Sequence, residues 1–455
     1  MWWYLTRVAH NIFFKKMKNN NKFHLVSVDM GYGHQRAAYP FLDSCEGCLI
    51  TANNYLEASK EEKSIWEKDK KNYEIISRFK KIPVIGEAVF SFMDYFQKIE
   101  SFYPRRDLSK NSLQQLYFFK KVKRGLGKNL ITKLNKNPLP ILTTFFSVVY
   151  SAEHYNYKGK VYCIICDADA SRSWAPIIPE KSNTIYLAPN KRVKERLILY
   201  GVKKDNIYLT GFPLPKENIG NDQKILKEDL KRRLASLDPN FYYIKKYKKL
   251  IESYLCPQEE IKKNKEPFNL TFAVGGAGAQ KEIGITIARR LKDKIKNKEV
   301  KLNLIAGSRR DVFDYFNKEL KKLFLFKDNF VNVVYNPDKI EYFKEFNLIL
   351  RDTDILWTKP SELSFYAGLG IPIIMSQTIG SQEEYNRRWL LGIGAGVDSK
   401  NPENVDEWLF DFIDSGWLAE AAMNGFLNAP QEGTYNIESI ILDNKIKEID
   451  ETRIM

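Results

Sequence analysis

Cysteine, histidine and long apolar runs are all scarce in this chain of 455 residues. Five cysteines are too few for a disulfide framework, and no secretory pattern opens the sequence, so the reducing cytosol is the expected compartment. No stretch approaches the ~20 consecutive apolar residues that a membrane-spanning helix needs. Two CxxC spacings occur. Cys45/Cys48 has no partner pair or nearby histidine, and Cys163/Cys166 lies in the apolar run VYCIIC, where a strand points the two thiols to opposite faces. No metal site is expected. Complete phosphate-loop fingerprints are missing too. After Gly31 and Gly33 the third glycine of GxGxxG is replaced by Arg36, and no acidic residue ends the next strand-like stretch, GCLIT, which disfavours an NAD enzyme. The later loop GGAGAQK lacks the Lys-Ser/Thr end of a P-loop, which disfavours ATP hydrolysis.

What is present is a globular composition, 44% hydrophobic with 13% aromatics, at a length that predicts two or three domains. Lys and Arg number 72 against 56 Asp and Glu, a net charge of +16. That excess favours anionic partners: nucleic acid, a membrane face or phosphorylated substrates. No nucleic-acid recognition element accompanies it, so no nucleic-acid partner is expected.

Along the chain, residues 1–22 form an amphipathic segment. Trp2, Trp3, Leu5, Val8, Ile12 and Phe13 recur at roughly helical spacing and Lys15, Lys16 and Lys18 follow. This suits a helix lying in a membrane interface or one docked on the protein's own core. A first α/β domain is read over 23–213. It opens with a buried strand, Phe23 to Val28, then a glycine turn and a helix, and continues through the strands of KGKVYCIICDADAS, NTIYLAP and NIYLTGFPLP. Within it, 60–135 is irregular, mixing aromatics with Lys120, Lys121, Lys123 and Arg124; snorkelling lysines could hold a membrane surface there, or the stretch could be solvated helix faces. Residues 214–267 read as a helical linker or insertion. The strand, glycine turn, helix order recurs at NLTFAV-GGAGAQ-KEIGITIARR and opens a second α/β domain over 268–425. A tail over 426–455 ends the chain.

The residues that bear chemistry sit at the predicted carboxyl ends of parallel strands, where such sheets keep their sites. Gly31, Gly33 and His34 follow the first strand. His34 could take a proton from a hydroxyl nucleophile or cap the helix. Asp167 follows VYCIIC and is either a site carboxylate or a structural loop residue. Gly275, Gly276 and Gly278, with Gln280 at the start of the next helix, offer a backbone approach to a diphosphate.

Four segments, SVDMGYGHQRAA, CDADASRSWAP to TGFPLP, GGAGAQ and TKPSELSFYAGLGIPIIMSQTIGSQEEYNRRWLLGIGAGV, resemble monogalactosyldiacylglycerol synthases. They are similar, more distantly, to the peptidoglycan lipid-intermediate N-acetylglucosaminyltransferase. The resemblance implies a GT-B glycosyltransferase: an α/β protein of two Rossmann-like domains whose parallel sheets face a central cleft, with no metal and no cofactor. Its acceptor would sit on the first domain and a nucleotide sugar, UDP-linked, on the second. Carried over residue by residue, Gly31, Gly33 and His34, with Arg36 beside them, match the acceptor-side loop, and Asp167 matches the aspartate after the strand. Gly276 and Gly278 match the donor diphosphate loop, Gln382, Glu383 and Asn386 the segment that reads the donor sugar. His34 or Asp167 would be the base, and Lys359 would help to neutralise the leaving diphosphate.

One departure stands out. Where the family has a glutamate that holds the nucleotide ribose, this chain has Phe365. Glu362 could replace it from one turn earlier if Ser361 or its neighbour begins the helix, and Phe365 would then pack under the nucleotide or fill core. The expectation is an inverting transfer from a nucleotide sugar to a membrane lipid at the cytoplasmic face, with an anionic membrane surface as partner. Its rivals are an epimerase of nucleotide sugars on the same fold and a catalytically silent nucleotide-binding scaffold.

Overall fold

The computed structural model describes residues 22–68, 98–255, 261–262, 264, 266–276, 278–378 and 380–445. The amphipathic N-terminal segment, with Trp2 and Trp3, lies outside the described residues. So does much of the aromatic and basic stretch after Trp66.

Among the described residues, twelve short strands form two sheets. The first holds β1 (His24–Ser27), β2 (Ile50–Thr51), β3 (Ile141–Thr143), β4 (Val161–Ile164), β5 (Ile185–Ala188) and β6 (Ile207–Leu209), in the order β2-β1-β3-β4-β5-β6. The second holds β7 (Phe268–Ala273), β8 (Val300–Gly307), β9 (Val331–Tyr335), β10 (Ile355–Thr358), β11 (Ile373–Met375) and β12 (Gly396–Asp398), in the order β12-β11-β10-β7-β8-β9. Every pairing is parallel, with Leu25 opposite Leu142 in the first sheet and Leu270 opposite Ile355 in the second. Parallel strands must be joined by crossovers, and helices covering both faces bury the strands completely. That is why β3, β4, β7, β10 and β11 are apolar or β-branched at nearly every position and buried throughout, and why β1 is buried at all four of its positions. The crossover helices are amphipathic for the same reason. Helix 310–322 buries Val312, Phe316 and Leu320, spaced by four, and leaves its charges in water.

The chain reverses direction across each sheet once. In the first it builds β1 and β2 to one side and then jumps to β3 on the other; in the second it builds β7, β8 and β9 before jumping to β10. Such a reversal parts the loops at the carboxyl ends and opens a crevice. The two crevices face each other, and the molecule is an α/β protein of GT-B architecture, two Rossmann-like lobes about a cleft.

Helix 224–237 of the stretch between the lobes is fastened to the second one. Its Arg233 is buried and donates to the carbonyls of Thr353, Leu369 and Gly370 at 2.8–3.1 Å, satisfying carbonyls at the ends of two helical segments. The last segment corrects the sequence reading. Residues 426–443 are not a tail: helix 433–443 crosses back to the first lobe, buries Ile437, Ile440 and Ile441, and bonds through Asn436 to the Thr210 carbonyl at 3.0 Å. The i, i+3, i+4 spacing of those isoleucines was visible, but the charged residues that follow masked it. Gly433 is required at the crossing, because a Cβ there would lie 2.1 Å from the Phe212 carbonyl oxygen.

Phe365 belongs to the core and does not face the cleft. It is 2% exposed, stacks on Phe212 at 4.6 Å and 7°, and meets Trp389 at 4.8 Å. Phe365→Ala is expected to cost about 3–5 kcal/mol, the usual penalty for emptying an aromatic core site, seen as a lower urea midpoint.

Candidate functional site

The cleft closes on a cavity of about 140 Å³ whose walls come from both lobes. From the first lobe come Gly31, Tyr32, Gly33, His34 and Arg36 after β1, and Asp167 beyond β4. From the second come Gly275 and Gly276 after β7, Lys359, Ser361 and Glu362 after β10, and Gln382, Glu383 and Asn386 on helix 381–392. Two residues named from the sequence are elsewhere. Gly278 lies against Val312 and Arg309, and Gln280 bonds the Gln377 carbonyl at 3.0 Å, so neither lines the cavity. The loop turns away after Gly276, with Gly278 and Gln280 both left-handed.

The glycines let the lobes meet. A Cβ on Gly276 would sit 3.0 Å from the Gly31 Cα, so the two glycine loops touch backbone to backbone. Beside them the Tyr32 hydroxyl reaches across, accepts from the Ser308 N–H at 2.8 Å, and rests on Gly307, where a Cβ would be 2.4 Å away. The sequence reading passed over Tyr32, although its place between Gly31 and Gly33 was the available signal.

Arg36 lines the cavity yet is only 2% exposed, buried between the lobes. Its Nε donates to Glu362 Oε1 at 3.1 Å, its Nη2 to the Tyr342 hydroxyl at 3.1 Å, and its guanidinium lies over the rings of Phe346 and Phe343 at 4.6 and 4.8 Å. The Glu362 carboxylate, expected to face a ribose, is thus engaged by Arg36 through one oxygen while still lining the cavity. Lys359 is likewise ion-paired to Glu383.

His34 packs edge-on against Phe145 at 4.9 Å, and its buried Nδ1 has no hydrogen-bond partner among the described residues. Burial pulls its pKa down to about 4, against the weaker upward pull of the Thr144 backbone and Glu362, so the ring is neutral near pH 7. Asp167 behaves in the opposite sense. Burial lifts its carboxyl to about 6, partly countered by Asn386, whose Nδ2 donates to Asp167 Oδ1 at 3.0 Å. The Asn386 Oδ1 accepts from the Ala168 N–H at 2.7 Å. Asn386 was expected at a donor sugar; here it is the clasp by which the second lobe grips the first lobe's carboxylate. Chemically, the cavity pairs a neutral imidazole with a carboxylate that titrates near working pH, opposite a lysine and a glycine loop.

In sequence, a domain family of unknown function, DUF6938, matches residues 256–437. No curated protein matches the chain. Solved structures similar to it include S. aureus MnaA with UDP, 10% identical over 93% of this chain and 96% of that one, at a TM-score of 0.47. MurG of Acinetobacter baumannii is 12% identical over 93% and 99%, at 0.46. The UDP-GlcNAc 2-epimerase of Neisseria meningitidis bound to UDP-GlcNAc is 12% identical over 93% and 98%, at 0.45.

Because Asp167 holds its proton up to about pH 6 when folded but only to its ordinary 3.8 when unfolded, the unfolded chain ionises first as pH rises. Folding therefore loses up to about 3 kcal/mol between pH 4 and 6 and does not regain it above. Asp167→Asn, which keeps an oxygen for Asn386, is expected to be more stable than the parent at pH 8 and level with it at pH 4. Urea denaturation at the two pH values measures this.

Proposed function

We propose that the protein is an inverting glycosyltransferase that moves a sugar from a nucleotide diphosphate, UDP-linked, to a hydroxyl acceptor on a membrane lipid at the cytoplasmic face. The observation that carries the reading is the meeting of two crossover crevices. A proton-accepting pair from one lobe, Asp167 and His34, faces a glycine loop and lysine from the other, in one cavity. In the step, the acceptor oxygen bonds to the anomeric carbon as the bond from that carbon to the diphosphate oxygen breaks. The acceptor proton passes to Asp167, and the electron pair leaves with the nucleotide. Between the two bases, a carboxylate with a pKa near 6 accepts a proton better than an imidazole near 4, so Asp167 is the base and His34 orients the hydroxyl. The departing charge meets Lys359 and the N–H groups of the Gly275–Gly276 loop.

Support for a lipid acceptor comes from the motif resemblance and from the surface of the first lobe. Helix 113–123 exposes Leu113, Leu116 and Tyr117 on one face, with Lys120, Lys121 and Lys123 in its last turn. An apolar stripe with a basic collar suits an anionic bilayer. No helix among the described residues is long and apolar enough to cross a membrane.

A second reading is epimerisation of a nucleotide sugar, in which Asp167 and His34 at the cavity wall would take a proton from the sugar itself instead of from an acceptor hydroxyl.

Incubation with radiolabelled UDP-sugars and total lipid extract should place label in the organic phase. An epimerised nucleotide sugar with no labelled lipid would favour the second reading, and absence of UDP binding would sink both. Asp167→Asn and His34→Ala are each expected to lower turnover by ~10²–10⁴-fold with UDP affinity kept. The kcat/KM of the parent should fall below about pH 6 as Asp167 protonates. Asn386→Ala, which removes a donor favouring the ionised carboxylate, should move that limb to higher pH. Liposome flotation on anionic vesicles should weaken in Leu116→Asp/Tyr117→Ser and at high salt; binding that ignores both would count against the membrane surface.

A further inference from the structure

A larger cavity, about 680 Å³, opens on the first lobe well away from the cleft. Its lining includes Lys160 and Val161 at the start of β4 and Thr184 just before β5. It therefore lies at the amino ends of those strands, whereas Asp167 lies past the carboxyl end of β4. A four-residue strand rises ~13 Å, so the sheet itself separates the two sites.

The wall has two chemistries. Lys158, Lys160 and Lys181 supply positive charge at the rim, while Phe119, Ile177 and Ile178 supply an apolar side. Among the described residues no carboxylate pairs with any of these three lysines. Lys133, Lys216, Lys339 and Lys359 all have acidic partners. The acidic residue in the lining, Glu153, accepts from the Ser182 Oγ at 2.5 Å and the Thr184 Oγ1 at 3.0 Å and pairs with none of the three lysines. Three ammonium groups left unpaired beside an apolar wall, in a cavity of ordinary ligand size, fit an amphiphilic anion.

We propose that this cavity binds a phosphate ester carried on an apolar body, with the phosphate among Lys158, Lys160 and Lys181 and the carbon skeleton against Phe119, Ile177 and Ile178. A lipid headgroup and a soluble phosphorylated compound share that chemistry. The helix that carries Phe119 also exposes Leu113, Leu116 and Tyr117, which would bring a bilayer to the cavity mouth. The site is independent of the chemistry in the cleft, and it stands or falls apart from membrane attachment.

The test is calorimetric titration of the full-length protein with inorganic phosphate, phenyl phosphate and dihexanoyl phosphatidic acid, the last kept monomeric. Phenyl phosphate is expected to bind about tenfold more tightly than inorganic phosphate, because only the ester covers the apolar wall. That affinity should fall by about tenfold or more in Lys158→Glu/Lys160→Glu/Lys181→Glu, and by a smaller factor in Lys181→Ala, which tests the claim if the triple variant does not fold. Ile178→Asp should remove the preference for the ester and leave phosphate binding in place. A tighter fit for dihexanoyl phosphatidic acid than for phenyl phosphate assigns the site to a lipid, and the reverse assigns it to a soluble ester; either supports the proposal. Equal affinity for phosphate and ester, or binding unchanged in the lysine variants, overturns it. Loss of vesicle flotation with monomeric ligand binding retained would defeat membrane attachment while this site stands.

Discussion

A guanidinium buried between the lobes sets their register. Arg36 belongs to the first lobe, yet every partner that satisfies it belongs to the second: the Glu362 carboxylate, the Tyr342 hydroxyl and the rings of Phe343 and Phe346. Removing one member of such a buried pair usually costs ~3–5 kcal/mol, whereas the intact pair adds little net stability because desolvation offsets attraction. The pair therefore fixes how the lobes meet more than how tightly they adhere.

Closure in turn creates the chemistry of the cavity. Asp167 and His34 owe their displaced pKa values to burial, and part of that burial is the opposite lobe arriving over them. Asn386 moderates the effect by donating to the carboxylate it helps to bury. A carboxylate and an imidazole that would titrate ordinarily in water thus become a proton acceptor near pH 6 and a neutral ring, once Gly31 meets Gly276 and Tyr32 reaches Ser308. Glycine is needed at Gly276 and Gly307 because a methyl group there would meet Gly31 and Tyr32 of the other lobe, whereas Gly31 is required by its φ of 89°.

The two cavities divide the positive charge by position. In the cleft Lys359 and Arg36 are held by Glu383 and Glu362, so cationic groups there are placed and partly neutralised. At the far end of the first sheet Lys158, Lys160 and Lys181 have no such partners among the described residues.

The strands were legible in the sequence because parallel strands buried on both faces leave unbroken apolar runs, as in VYCI and ILWT, each followed by a glycine or polar loop. The same logic placed His34, Asp167 and Gly276 at carboxyl strand ends, since that position depends only on strand direction and local order. The fate of Arg36, Glu362, Phe365 and Asn386 was settled by tertiary structure alone. Each meets a partner more than a hundred residues away, Arg36 with Glu362, Phe365 with Phe212 and Asn386 with Asp167, and no local pattern encodes a contact made by closing two lobes. Helix 433–443 shows the same limit: its isoleucines declare a buried face, but only the crossing of the chain decides that the first lobe buries it.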